Sequence, residues 1–225
     1  GSTLHCDDFS RFTFQYQNYL QIAAGDFDND GYDEVAVYIP DSSNPRVEVY
    51  KLQITSNMTD TTYKTASSWK IAWSYPLTKE YDAKTKKDLI PNMVSLTTGD
   101  FNRDGCDDLA VSYGHFYSDE IYSATRAAVL YGDSATMLQT YSDFPLTTSD
   151  GKDLVRVSFS YGNLTDASTK TLVLGGQVVS DIAAQNPYTR YVALYELNET
   201  GDGFNNIYEK NFNLFEKDSG GNYTY

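Results

Sequence analysis

The chain has 225 residues, 40% of them hydrophobic and 21% charged, enough for one large domain or two small ones with a substantial core. A formal net charge of −14 argues against a nucleic-acid backbone as partner, and no apolar run approaches the length needed to span a bilayer. Only 2 His stand against 20 Tyr, which leaves few candidates for acid–base catalysis near neutral pH but suits exposed β surfaces. The leading Gly1-Ser2 resembles the remnant of a cleaved tag, so the lack of a signal peptide carries no information about export.

The first predicted strand is YLQIAA, followed by the acidic run GDFDNDGYDE and a second strand, EVAVYI. With Asp26 as position 1, oxygen side chains stand at positions 1, 3 and 5 (Asp26, Asp28, Asp30) and at position 9 (Glu34), with Gly31 at position 6. Alternate residues of a tight loop can point to one centre, and glycine at position 6 permits the turn. The backbone carbonyl of Tyr32, at position 7, can add a further ligand. Hard oxygen donors in this number suit Ca²⁺ better than Mg²⁺, which keeps more of its waters.

A third strand, RVEVYKLQ, and a fourth, WKIAWSYPL, complete the unit. Trp69, Ile71, Trp73 and Tyr75 alternate along the fourth strand and are expected on one face. Packing between sheets is the favoured role for that row, and a glycan-stacking platform is the alternative. The stretch KEYDAKTKKDL from Lys79 is mixed in charge and expected to be a solvated connection.

The same order then returns. MVSLTT precedes GDFNRDGCDD, and DLAVSY, RAAVLYGD and MLQTYSDFPL follow. The metal positions hold Asp100, Asn102, Asp104 and Asp108, with Gly105 at position 6 and the Cys106 carbonyl at position 7. An EF-hand shares the opening spacing but needs a Glu at position 12, where Val37 and Val111 stand, and it lies between helices rather than strands. A solvated acidic turn explains one such loop, but carboxylates crowded twice in one register call for a cation. His115 has no nucleophile at a recognisable spacing and is expected in a surface loop.

A third unit follows without the acids: VRVSFSYG, TLVLGG, RYVALYELN and NIYEKNFNLF. Aligned on Gly162 without a gap, its loop GNLTDASTKT places Asn163, Thr165, Ala167, Ser168 and Thr171 at the metal positions. Tyr50, Tyr131 and Tyr195 read as equivalent residues of the three third strands, a recurrence that favours a structural role. Asn57, Asn163, Asn198 and Asn222 lie in N-x-Ser/Thr triplets, which prove no glycosylation. Cys6 and Cys106 form either a disulfide or two separate thiols.

Three repeats of four antiparallel strands predict an all-β chain of β-propeller blades, over residues of about 17–78, 92–147 and 153–216. GDFDNDGYDEVAV and GDFNRDGCDDLAV resemble the FG-GAP or VCBS repeats of integrin α-chain propellers and of many bacterial surface proteins. The resemblance implies that the loop between the first two strands of a blade holds Ca²⁺, hence two ions in this chain. It also implies propellers of about seven blades, and three cannot close a ring. The expectation is therefore a segment of a larger propeller, its other blades supplied by the parent chain or by another copy. The function expected is an extracellular or cell-surface module for adhesion or recognition of a protein or glycan, with structural ions. The alternatives are the propeller portion of a carbohydrate-active enzyme such as a polysaccharide lyase, and a structural spacer. No cluster of Arg, Lys, His or carboxylates outside the loops favours the enzyme.

Overall fold

The computed structural model describes residues 21–53, 69–91, 93–115, 125–148, 153–162, 171–179, 188–197, 204–212, 216–217 and 223–224. Within them the chain is all-β. β1 (Ile22–Gly25), β2 (Glu34–Ile39), β3 (Arg46–Leu52) and β4 (Trp69–Pro76) form a first antiparallel sheet in sequence order. β5 (Glu80–Asp82) and β6 (Lys87–Leu89) pair as a hairpin of their own. β7 (Met93–Gly99), β8 (Asp108–Gly114), β9 (Arg126–Asp133) and β10 (Met137–Pro145) form the second four-stranded sheet. β11 (Leu154–Gly162), β12 (Thr171–Val179), β13 (Tyr188–Leu197) and β14 (Phe204–Phe212) form the third. β15 (Glu216–Lys217) and β16 (Tyr223–Thr224) pair as a short ribbon. Among the described residues no helix is long and apolar enough to cross a membrane.

The registers repeat. Gly25 pairs with Glu34, Gly99 with Asp108, and Gly162 with Thr171, so the gapless alignment of the three loops is reproduced in the sheets. The third-strand alignment needs correction. Tyr50 pairs with Val35, and Tyr195 with Leu172, at equivalent places, but the residue opposite Leu109 is Leu130. Tyr131 lies one position further on, equivalent to Lys51 and Glu196, so the tyrosines do not recur in all three sheets.

Hydrophobic contact between sheets forms the core. β8 is buried along its whole length, which explains why DLAVSYG lacks the polar alternation of a half-solvated strand. Leu109, Val111 and Tyr113 join Phe27, Tyr38, Val47, Val49 and Leu130 between the first and second sheets. The intervening Ala110 joins Phe101 and Val129 against Phe159, Tyr161 and Tyr195 of the third. Ser112, also of that set, donates to the Val157 carbonyl at 3.0 Å. The period-two alternation of one strand thus places the second sheet between the other two.

Three local expectations change. A bulge in β4 pairs Trp73 with Val49 and Ile71 with Tyr50, leaving Ala72 extra. The aromatic row is therefore split: Trp73 and Tyr75 stack with parallel rings at 6.1 Å and pack into the core, while Ile71 turns to solvent. The stretch after Lys79 is more than a solvated connection. In its β5–β6 hairpin, buried Asp82 accepts from the Lys84 amide at 2.9 Å and the Thr85 hydroxyl at 2.6 Å. His115, expected at the surface, is buried. Its Nε2 lies 3.0 Å from the Thr78 carbonyl oxygen, its Nδ1 3.4 Å from Glu80 Oε1, and the Tyr113 ring meets it edge-on. The imidazole ties the end of β8 to the segment leading from the first sheet.

Cys106 is a free, buried thiol. Cys6, the loop residues 163–170 and the triplet asparagines Asn57, Asn163, Asn198 and Asn222 lie outside the described residues.

Candidate metal centre

Each acidic loop joins the first two strands of its sheet, and both take the same backbone path. Position 4 (Asn29, Arg103) and position 6 (Gly31, Gly105) have positive φ in both, the glycines at 89° and 95°. Glycine adopts that conformation without the clash a Cβ would bring, and Asn is among the side chains that tolerate it.

In the first loop Asp26 accepts from the amides of Asp30 at 3.0 Å and Gly31 at 2.9 Å, and Asp30 accepts from Tyr32 N at 3.0 Å. Glu34 is buried and takes the Phe27 amide at 3.0 Å. The ligand atoms of Asp26, Asp28 and Glu34 lie within 4.8 Å of one another. Asp28 Oδ1 is buried and has no hydrogen-bond partner among the described residues. Tyr32, whose carbonyl was the expected seventh-position ligand, is an exposed side chain at the loop's rim.

Sequence reasoning overlooked Lys51. Its ammonium, reaching from β3, contacts the Asp28 carboxylate and lies 2.7 Å from Asp30 Oδ2 and 3.2 Å from Glu34 Oε1. Burial disfavours its charge, but hydrogen bonds to the three carboxylates outweigh that and raise its pKa. The same ammonium lowers the Asp30 pKa. Burial raises that of Glu34, with Lys51 and the Phe27 amide opposing.

The second loop is organised differently. Asp100 accepts from Asp104 N at 3.1 Å and Gly105 N at 3.3 Å, as Asp26 does in the first loop. Asn102 both donates to the Asp104 carboxylate at 2.8 Å and accepts from the Asp104 amide at 3.0 Å. Asp104 also accepts from Cys106 N at 2.8 Å. Asp108 is completely buried, and its two oxygens accept amides from Phe101 at 2.6 Å, Asn102 at 3.2 Å and Gly132 at 2.8 Å. Burial pushes this carboxyl up to about 7, against those three hydrogen bonds. Burial and the neighbouring carboxylates raise the Cys106 thiol. A Cβ on Gly132 would fall 2.3 Å from the Asp107 carbonyl oxygen, so glycine there lets β9 pass close beneath the loop.

Both loops are gripped by the next sheet. Asp107 N donates to the Asp26 carbonyl at 2.9 Å, and Asp107 Oδ2 accepts from Asp26 N at 3.1 Å. Asp133 N donates to Phe27 O at 3.0 Å, and Thr98 Oγ1 to Ala24 O at 2.6 Å. In the second loop the Tyr161 hydroxyl donates to the Asp100 carbonyl at 2.8 Å, with its ring edge-on to Phe101 at 4.8 Å. Asp107, Asp133 and Tyr161 were not expected at the site. They are distant in sequence, and only the stacking of the sheets brings them there.

The first loop passes a test for a hard cation on its donor set and on the orphaned Asp28 oxygen, with Lys51 as the rival positive charge. Asp26, Asp28, Asp30 and Glu34 would hold the ion there. In the second loop Asp100, Asn102 and Asp104 gather oxygen donors, while Asp108 is occupied by amides.

Tandem antiparallel sheets, each carrying an acidic loop between its first two strands, define an all-β repeat protein with metal-type loops. The family model of the FG-GAP repeat matches residues 18–50 and 94–130, the segments that hold the two loops. These two segments are FG-GAP repeats. No curated protein matches it.

Proposed function

We propose that the chain is a calcium-stabilised segment of a β-propeller in an extracellular or cell-surface protein, where it serves adhesion or recognition of a protein or glycan. Each sheet is a blade, and further blades come from the parent chain or from another copy. The observation that supports the reading best is the buried, unpartnered Asp28 oxygen, in a loop where Asp26, Asp28 and Glu34 bring their ligand atoms within 4.8 Å. A buried carboxylate oxygen without a partner is costly, and a hard cation satisfies it. The FG-GAP repeat itself is non-catalytic, which favours a binding module over an enzyme. Extracellular calcium modules work with dissociation constants of about 10⁻⁴–10⁻³ M, so modest sites suffice there.

Equilibrium dialysis with millimolar calcium tests this on the full chain. Two ions should bind, and Asp30→Ala and Asp104→Ala should each abolish one of them. No calcium bound at millimolar concentration would refute the proposal.

A further inference from the structure

We infer that Lys51 is a tethered cation of the first loop. Its ammonium stands where a divalent ion would neutralise the carboxylates, holding the loop in shape without metal and weakening calcium binding there. The inference rests on the calcium reading of the loop and goes beyond it, because it makes the two loops unequal.

The geometry carries it. An ammonium has three donors, and Lys51 meets three separate carboxylates, those of Asp28, Asp30 and Glu34, all at or below 3.2 Å. These are side chains that would ligate an ion. Calcium sits 2.3–2.6 Å from its oxygen ligands, so an ion among the same oxygens would lie beside the ammonium, and like charges at that distance repel. The two cations therefore exclude each other. The four-carbon lysine stem is flexible, so the head can swing aside when an ion enters. The ammonium does not satisfy every oxygen, since Asp28 Oδ1 keeps no partner. A divalent ion with more coordination positions retains an advantage, and the loop is thus competed for rather than closed.

The other units sharpen the contrast. At the place equivalent to Lys51 the second unit has Tyr131, which packs against the Phe101 cluster, and the third has Glu196. A structural lysine required by the strand would be expected in more than one sheet. Here it occurs only where the loop has a full set of four carboxylates, whereas the second loop has Asn102 at position 3.

Calcium titration calorimetry on the full chain decides the matter. Asp104→Ala removes the second loop's binding, and Lys51→Met is compared with the unsubstituted lysine in that background. Lys51→Met should tighten calcium binding at the first loop at least tenfold, and should lower the melting temperature in chelator until calcium is restored. Lys51→Arg keeps the charge and should retain both the weak binding and the metal-free stability. Lys87→Met, which removes the same charge from an exposed hairpin strand, should change neither. Equal calcium affinity with and without the Lys51→Met substitution overturns the inference and leaves the calcium reading standing. Calcium bound by neither protein overturns the calcium reading and the inference with it.

Discussion

Replacing Asp107 by alanine should damage the first loop, although Asp107 belongs to the second. Its Oδ2 accepts the Asp26 amide at 3.1 Å, across the seam between two sheets, while its own amide separately holds the Asp26 carbonyl at 2.9 Å. The substitution removes the first bond and leaves the second. A hydrogen bond to a charged group contributes about 1.5–3 kcal/mol, and this one is only partly buried, so about 1.5 kcal/mol is the reasonable figure. For a chain of this size each kcal/mol moves the melting temperature by about 2–4 °C, which gives a fall of about 3–6 °C. Hydrogen exchange locates the effect. The amides of Asp26, Asp30 and Gly31 should exchange faster, since the last two donate to the Asp26 carboxylate whose backbone has lost an anchor. The amides of Asp104 and Gly105 should keep their protection, because their acceptor, Asp100, is fixed from the other side by Tyr161. Protection lost from the second loop and kept in the first would refute the seam argument. An unchanged melting temperature would refute it too.

Phe27→Ala empties a fully buried site between the first and second sheets and should cost about 3–5 kcal/mol in denaturant unfolding, with the slope m unchanged. Chelation should lower the melting temperature, since an ion bound only to the folded chain at a hundred times its dissociation constant stabilises it by about 2.7 kcal/mol; identical melts with chelator and with millimolar calcium would contradict this. Burial lowers the His115 pKa below its ordinary 6.5, against the pull of Glu80. The unfolded chain then binds a proton that the folded chain resists, so this contribution to stability is complete above about pH 6.5 and is lost as pH falls through the folded value. His115→Gln should flatten that part of the pH profile, measured by urea unfolding between pH 7.5 and 5.

Much of this fold was legible because its signals are local. Strand alternation and two copies of a glycine-bearing acidic loop fix the hairpin of β1 with β2 and that of β7 with β8, and the registers Gly25 with Glu34 and Gly99 with Asp108 follow. What failed was non-local. One bulge at Ala72 reversed the faces of Ile71 and Trp69 relative to Trp73 and Tyr75, and no residue type announces it. The burial of His115 depends on Thr78 and Glu80 returning across the end of β8. Lys51 was the costliest omission. Aligning third strands from their arginines, Arg46 with Arg126, places Lys51 at the position of Tyr131, one residue beyond the pairing of Tyr50 with Val35. From there a long cationic side chain reaches three of the loop's acids. The sequence held that signal, but the recurrence of tyrosines drew the alignment one residue out of register.

The two loops share one further feature that bears on what a cation does for the molecule. The carbonyl of position 1 is bonded by the next sheet in both, through the Asp107 amide at Asp26 and through the Tyr161 hydroxyl at Asp100. Position 2 is a buried phenylalanine in both, Phe27 and Phe101, each packed into the interface with that same sheet. The residue that offers the first carboxylate is therefore also the residue by which one sheet holds the next. Repulsion among unneutralised carboxylates would act directly on that seam, because the carboxylate of Asp26 belongs to the same residue as the carbonyl that Asp107 grips. On the proposed function, neutralising the loop, whether by an ion or by the Lys51 ammonium, would steady the stacking of sheets as well as the hairpin between β1 and β2. In the third unit the pairing of Gly162 with Thr171 shows that the hairpin register survives without a carboxylate at position 9. The hairpin register therefore does not by itself require an acid at position 9, while in the first two loops the acids also accept amides within the loop.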